Sequence, residues 1–399
     1  MIVLVVNSGS SSLKFTLFET SGEKRLASGL VERIGTDSAN MVYKGADGGK
    51  SERRVAAADH AAALSLVCEA ITAPGTGVVK SLSEVQAIGH RVLHGAEAFR
   101  ESVLVTPDVM AGIRKLVPFG PLHMPANLGG IEACEKIFPG VPNVAVFDTA
   151  FHQTMPPCAA LYAIPEKYHS ECGFRKYGFH GTSHRFVTLA AAEFLGKKPE
   201  EVNLVTCHLG NGSSLAAVKG GKVFDTTMGL TPLAGVVMGT RSGDIDPAVV
   251  LELVRKGMSA DEIDNLLNKK SGLYAVGGIA SGDMRDMVSA AQSGKESAKL
   301  ALDMWAHRIV LYIGGYFALL GGADAIVFTG GIGENSAAAR DLVLSRLGCL
   351  GVDYDPEANA TRRGPCYLSK PGSKVAAIIM PTDEELMIAR DTAAVVSAR

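Results

Sequence analysis

Apolar residues open the chain as a β-branched run, Ile2 to Val6, dense enough for a buried strand. Leu13, Phe15 and Leu17 then alternate with Lys14 and Thr16, the period of a strand with one face covered. Between them Asn7 to Ser12 is small and polar, which predicts a loop longer than a tight hairpin needs. The same figure returns about 200 residues later. Leu204 to Cys207 is apolar, His208 to Ser214 is a Gly/Ser loop, Leu215 to Val218 resumes a strand, and Gly220-Gly221 turns tightly into Lys222 to Asp225. Two strand–loop–strand–turn–strand units at this period are too far apart for a solenoid. They predict two related domains, each opening on its own loop.

Further along, Ala323 to Thr329 reads as a strand, Gly330 to Asn335 as a loop, and Ser336 as the cap of a helix beginning AAARDLVL. The uncharged stretch Ile309 to Ala323 reads as the end of a buried helix starting near Glu296, and it is too short to span a bilayer. Its apolar part, Trp305 to Leu320, either fills a core or forms a dimer surface. Thr182 or Ser183 is placed to cap a helix His184 to Leu195. A strand Val144 to Phe147 runs into Asp148. Near the end, IIMPTDEEL reads strand, proline, helix, with Thr382 and Glu385 as a capping box. Gly45 to Ser51 (GADGGKS) is one residue short of a P-loop, and with strands on both sides it predicts a hairpin turn.

Composition adds bounds. At 399 residues, 47% hydrophobic and 20% charged, the chain is ordinary globular material for two or three domains. A net charge of -2 gives no pull toward nucleic acid or an anionic membrane. Seven cysteines without a C-x-x-C form no disulfide or zinc framework and point to a reducing, cytoplasmic setting. No leader-type segment opens the sequence.

Candidate chemistry clusters at the polar interruptions. Small residues, hydroxyls and Lys14 suit a phosphate cradle, or equally a serine-rich surface hairpin; the recurrence of the loop favours the cradle. Arg91 and Arg241 sit in tight, mostly uncharged surroundings, as forks for carboxylate or phosphate oxygens or as ion-pair partners of Glu97 and Asp244. Asp148 stands at the C-terminal end of a strand, where α/β sheets place chemistry, or caps a helix. His180 and His184 have metal-ligand spacing, but Gly181, Thr182 and Ser183 oppose a shared helix, so His180 is better placed to donate to a ligand. Glu384 is either a first-turn acid or a Mg²⁺ ligand. Gly331, Gly333 and Ser336 mimic a dinucleotide fingerprint with Glu357 as its acid. Glu357 lies among turn residues, however, so close backbone approach to an adenosine or phosphate is the better expectation.

With these residues assembled, the chain resembles the acetokinase family. The matching stretches are VVNSGSSSLKF, GHRVLHG, VFDTAFHQTMP, YGFHGTSH, CHLGNGSS, DTTMGLTPLAGVVMGTRSGDIDP, FTGGIGENS and PTDEEL, in the family's order from Val5 to Leu386. The resemblance implies an α/β fold of two duplicated actin-like (ribonuclease H-like) domains around a nucleotide cleft. Residues 1–150 with 386–399 would form the first, and 151–385 the second. It implies reversible, Mg²⁺-dependent (Mn²⁺ also suitable) transfer of the ATP γ-phosphoryl to acetate, with propionate or another short acid as the alternative acceptor. It also implies a homodimer. By resemblance, Arg91 and Arg241 hold the acetate carboxylate and the phosphoryl, His180 hydrogen-bonds the phosphoryl, and Asp148 is the catalytic carboxylate. Asn7 and Glu384 position the metal. Lys14, His208, Leu209, Gly210, Asn211 and Gly212 face the phosphates. Asp283, Met284 and Arg285 with Gly331, Ile332, Gly333, Glu334 and Asn335 hold the nucleoside end. Leu93, Leu122, Phe179 and Pro232 line the acyl pocket, with leucine at 93 where the family often has valine. The loop Tyr274 to Asp286 departs from the family's usual residues, which leaves the nucleoside end less defined. Two other classes compete: an actin-like ATP-binding protein without small-molecule transfer, and an NAD oxidoreductase resting on Gly331 and Gly333 alone.

Overall fold

A computed structural model describes residues 1–46 and 48–398. The chain forms two compact units, one of Met1–Ala150 with Asp383–Arg399, the other of Phe151–Thr382. The segment Asp383 to Glu385, expected with the second domain, lies with the first.

The first unit is an eight-stranded sheet. Its strands are β1 Ile2–Gly9, β2 Ser12–Glu19, β3 Lys24–Glu32, β4 Asn40–Lys44, β5 Lys50–Arg54, β6 Ala87–Val92, β7 Val103–Leu104 and β8 Asn143–Phe147. They lie in the order β5-β4-β3-β2-β1-β6-β8-β7. β1 to β5 form an antiparallel meander, and β6 and β8 add in parallel beside β1. One face carries Leu4, Leu13, Phe15 and Leu17 against the helices His60–Thr72 and Met124–Ile137. The other carries Val3, Val5, Val144 and Val146 against Ile388 and Ala389 of the helix Glu384–Ser397. Each such side chain taken out of water contributes about 1.5–3 kcal/mol.

The second unit repeats the scheme with β9 Asn203–Leu209, β10 Ser213–Lys219, β11 Lys222–Thr226, β12 Ala325–Thr329, β13 Cys366–Tyr367 and β14 Ala376–Ile379. Their order is β11-β10-β9-β12-β14-β13. Three antiparallel strands followed by two parallel ones is the order of β3-β2-β1-β6-β8, so the duplication expected from the loops is present in the topology and both units are actin-like. The helix Glu296–Leu320 covers one face, burying Trp305, Ile309, Ile313, Tyr316 and Leu320. It therefore fills a core, the first of its two expected roles, although the homodimer that the resemblance implies favoured the second. Its Leu300, Met304, Leu311 and Leu319 are exposed. The helix Gly181–Phe194 lies on the opposite face through Val187, Ala191 and Ala192.

Several local expectations are corrected. The expected loop Asn7 to Ser12 is mostly strand: Asn7 pairs with Lys14, Ser8 with Leu13 and Gly9 with Ser12, so only Ser10 and Ser11 turn. His208 likewise belongs to β9 and pairs with Ser214, leaving Gly210 to Gly212 as the turn. Backbone ladders form regardless of side-chain polarity, and a small hydroxyl fits where the sheet is covered: Ser8 lies so close to Gly130 that a Cβ there would sit 2.2 Å from its Oγ. Gly330–Asn335 is a helical turn and not a loop. Ser336 does cap the helix Ala337–Leu344, and Glu357 lies in a short helix that Asp355 caps. The helix expected from His184 begins at Gly181, with His180 as its left-handed cap at φ 57°. In the last helix Asp383, not Thr382, is the cap, its carboxylate accepting from the Leu386 N–H. β4 and β5 form the expected hairpin; Asp47, within the expected turn segment Gly45 to Ser51, lies outside the described residues.

Candidate active site

In the first unit the candidate residues gather where β1, β6 and β8 end and the last helix begins. Arg91, near the end of β6, turns its guanidinium onto Asp148, the residue after β8. Nε donates to Oδ1 at 3.0 Å and Nη2 to Oδ2 at 2.6 Å, a two-point fork. Asp148 is fully buried, and its N–H donates to the Val92 carbonyl. It is not a helix cap, and the partner of Arg91 is Asp148, not Glu97. The Asp148 carboxylate holds Arg91 more firmly charged than an ordinary arginine. Glu384 sits in the same field. Burial pushes its carboxyl up to about 6, the attraction of Arg91 opposes this, and repulsion from Asp148 adds to it. Lys14 pairs with Glu385, and despite burial that ion pair keeps Glu385 below the usual range.

Asn7 lies on β1 beside Lys14. Among the described residues no three His, Cys, Asp or Glu side chains converge on a metal site. Mg²⁺ typically takes one or two protein oxygens and completes its shell with phosphate and water. A carboxylate already costly to ionise, Glu384, is a group that a divalent cation would relieve. Leu93 follows β6; its N–H donates to Asn127 Oδ1, and its side chain lies against Gly120. Leu122 is exposed.

In the second unit Arg241 has no carboxylate partner among the described residues. Its Nη1 donates to the Pro232 carbonyl at 3.0 Å and lies near Met238 Sδ, and burial lowers its pKa. Asp244, the alternative partner, instead accepts from the Gly235 N–H and the Tyr312 hydroxyl. A Cβ on Gly212 would come 3.3 Å from Arg241 Nη1, so the arginine and the β9–β10 turn are neighbours. Asn211 in that turn accepts from the Gly239 N–H, and Leu209 and Phe179 are buried. His180 and His208 stack with ring centres 4.3 Å apart. His208 bonds to Ser183, which in turn donates to Thr382.

Asp283 caps the helix Met284–Gln292 and pairs with the exposed Arg285, while Met284 is buried. In the Gly330–Asn335 turn, Glu334 accepts from the Gly330 and Thr382 N–H groups, and Asn335 donates to the Gly331 carbonyl. Gly331 has open space where a side chain would be, Ile332 is half-buried and Gly333 is buried. Sequence reasoning missed what holds this turn. Arg340 is fully buried and donates to the carbonyls of Gly333 and Glu334 and to Asn359. Its only signal was a lone arginine in an alanine-rich helix.

A sequence profile of the Acetokinase family matches residues 2–390. The chain belongs to the acetokinase family. An acetate kinase of Thermotoga maritima is 52% identical over 400 residues, covering 99% of each chain. Among solved structures, the acetate kinase of Porphyromonas gingivalis superposes with a TM-score of 0.93 at 43% identity, with 99% of each chain covered. A propionate kinase from Francisella tularensis does so at 0.92 and 40%, covering 98% of this chain and 99% of its own. Solved structures named as an acetate kinase and as a propionate kinase thus share this fold.

Proposed function

We propose that the chain is an acetate kinase, transferring the ATP γ-phosphoryl directly and reversibly to acetate to give acetyl phosphate and ADP. The observation that carries this reading is the 52% identity to an acetate kinase along the full length of both chains. The chemistry needs positioning and charge neutralisation more than covalent help. Acetate reaches the enzyme ionised, so no general base is required. Both Asp148 oxygens are engaged by Arg91, which supports Asp148 as the group that aims Arg91 at the acetate carboxylate. Arg241, free of any carboxylate among the described residues, suits the transferring phosphoryl. His180 hydrogen-bonds that phosphoryl. Lys14 and His208 to Gly212 face the phosphates, and Asp283 to Arg285 with Gly331 to Asn335 hold the nucleoside end. Glu384 and Asn7 would hold Mg²⁺, which when bound would supply charge neutralisation at the phosphates. Leu93, Leu122, Phe179 and Pro232 set acyl size. The exposed stripe Leu300, Met304 and Leu311 would be covered in a homodimer, and a reducing cytoplasm suits seven free thiols.

The second reading is a propionate kinase, which the Francisella structure favours. Hydroxamate formation from acid, ATP and hydroxylamine tests both: product with acetate above propionate is expected, and none with either acid rejects the kinase reading. Leu93→Val should shift the acetate-to-propionate ratio of kcat/KM about tenfold toward propionate. An unchanged ratio removes Leu93 from the pocket.

A further inference from the structure

The hydroxyl of Ser214 lies between two imidazoles. His180 Nδ1 is 2.9 Å from Ser214 Oγ on one side, and His184 Nε2 is 2.8 Å away on the other. Ser214, His184 and Thr206 are all fully buried, so each contact is a real constraint on where protons sit. A serine hydroxyl has one proton to give. At most one ring can therefore accept from Ser214, and at least one must donate to it. His184 Nδ1 meets Thr206 Oγ1 at 2.7 Å, and Thr206 Oγ1 donates to the Ala216 carbonyl at 3.4 Å. With the Thr206 proton on that carbonyl, which only accepts, the direction of the whole chain follows. Thr206 gives its proton to Ala216 and so accepts from His184 Nδ1–H. A neutral His184 then has a bare Nε2, which accepts from the Ser214 hydroxyl. Ser214 Oγ in turn accepts from His180 Nδ1–H. Burial first, then the neighbouring His152 and His208, hold His184 well below the ordinary histidine pKa, so it carries the single proton this scheme requires. A parallel chain serves the stacked ring: Ser183 donates to Thr382, so His208 Nδ1–H donates to Ser183.

The geometry points to Ser214 as a positioning residue that fixes the tautomer of His180, keeping the ring proton on Nδ1 and leaving Nε2 unprotonated. The backbone of His180 is held left-handed at φ 57°, a conformation unusual for a residue with a side chain, and the Ser214 bond fixes the ring on it. The inference rests on the reading of His180 as a phosphoryl contact only for its catalytic consequence; the tautomer stands on the hydrogen-bond chain alone.

Long-range ¹H–¹⁵N correlation spectra of histidine-labelled protein test it, with His180 assigned by the signal lost in His180→Gln. In wild type, above the ring's pKa, Nδ1 should carry the proton and Nε2 should show the unprotonated, pyridine-like shift. Ser214→Ala should redistribute the proton toward Nε2 and lower kcat about tenfold, with both KM values little changed. Ser214→Thr, which keeps the hydroxyl, should restore both tautomer and kcat. A wild-type ring protonated on Nε2 overturns the inference without any substitution, as does a Ser214→Ala protein whose His180 tautomer is unmoved. If His180→Gln left kcat intact, the role of His180 in phosphoryl transfer would fail while the tautomer assignment stood.

Discussion

Arg91 and Asp148 form a pair in which one member is sealed and the other looks outward: the Asp148 side chain is 1% exposed and that of Arg91 26%. Removing the arginine strands a buried carboxylate. Arg91→Ala should therefore cost about 3 kcal/mol in urea unfolding as well as most of the activity. Asp148→Asn should lower kcat without creating a new pH optimum, and a new acid limb would assign proton transfer to Asp148. The neighbouring His90 carries a separate, structural cost. It is buried and bonded to Asn143 Oδ1, and burial lowers its pKa from 6.5 to about 4. Between those values the unfolded chain binds more protons than the folded one. Stability is thus full above about 6.5 and falls by about 3 kcal/mol as pH drops to 4. His90→Gln should flatten that slope, read from urea midpoints at neutral pH and near pH 4.5. An equally steep slope in the variant would place the acid lability elsewhere.

At the scale of elements, the last helix is seated by what β6 lacks. A Cβ on Gly89 would come 2.2 Å from Thr392 Oγ1 and 2.7 Å from Ile388 Cγ2. Gly89→Ala should destabilise the protein by about 1–3 kcal/mol, and Thr392→Ala in the same chain should recover part of that loss. Additive losses would mean the helix does not rest there. The same contact shows why some elements were legible in sequence and others were not. Val3 to Val6 and Leu13 to Leu17 announce strands because their periodicity reports burial. Ser8 and Gly9 continue the strand under cover of Gly130, and no local pattern carries that information. The Gly330–Asn335 turn looked like a loop because glycine disfavours helix, and it is Arg340, arriving from the next helix, that satisfies the Gly333 and Glu334 carbonyls. Arg91 and Asp148 stood out as charges in apolar segments. Ser214 did not, since its role exists only once β10 lies beside the helix Gly181–Phe194.

Across the whole chain, the repeated strand order was foreseeable from two similar polar interruptions, whereas the first unit's assembly from two distant segments followed only from the family resemblance. A chain ending at Thr382 should leave the face bearing Val3, Val5, Val144 and Val146 uncovered. It should bind a hydrophobic dye and aggregate, while Phe151–Thr382 keeps its secondary structure; a soluble, dye-silent product would show the helix dispensable. In the cell that dependence becomes a schedule. The opening 150 residues leave the ribosome long before the helix that seals them, separated from it by roughly 230 residues, or on the order of ten to fifty seconds of synthesis. Throughout that interval a nascent sheet waits half clothed, a natural customer for a chaperone, and codon tempo or translation rate across the intervening segment becomes a determinant of yield.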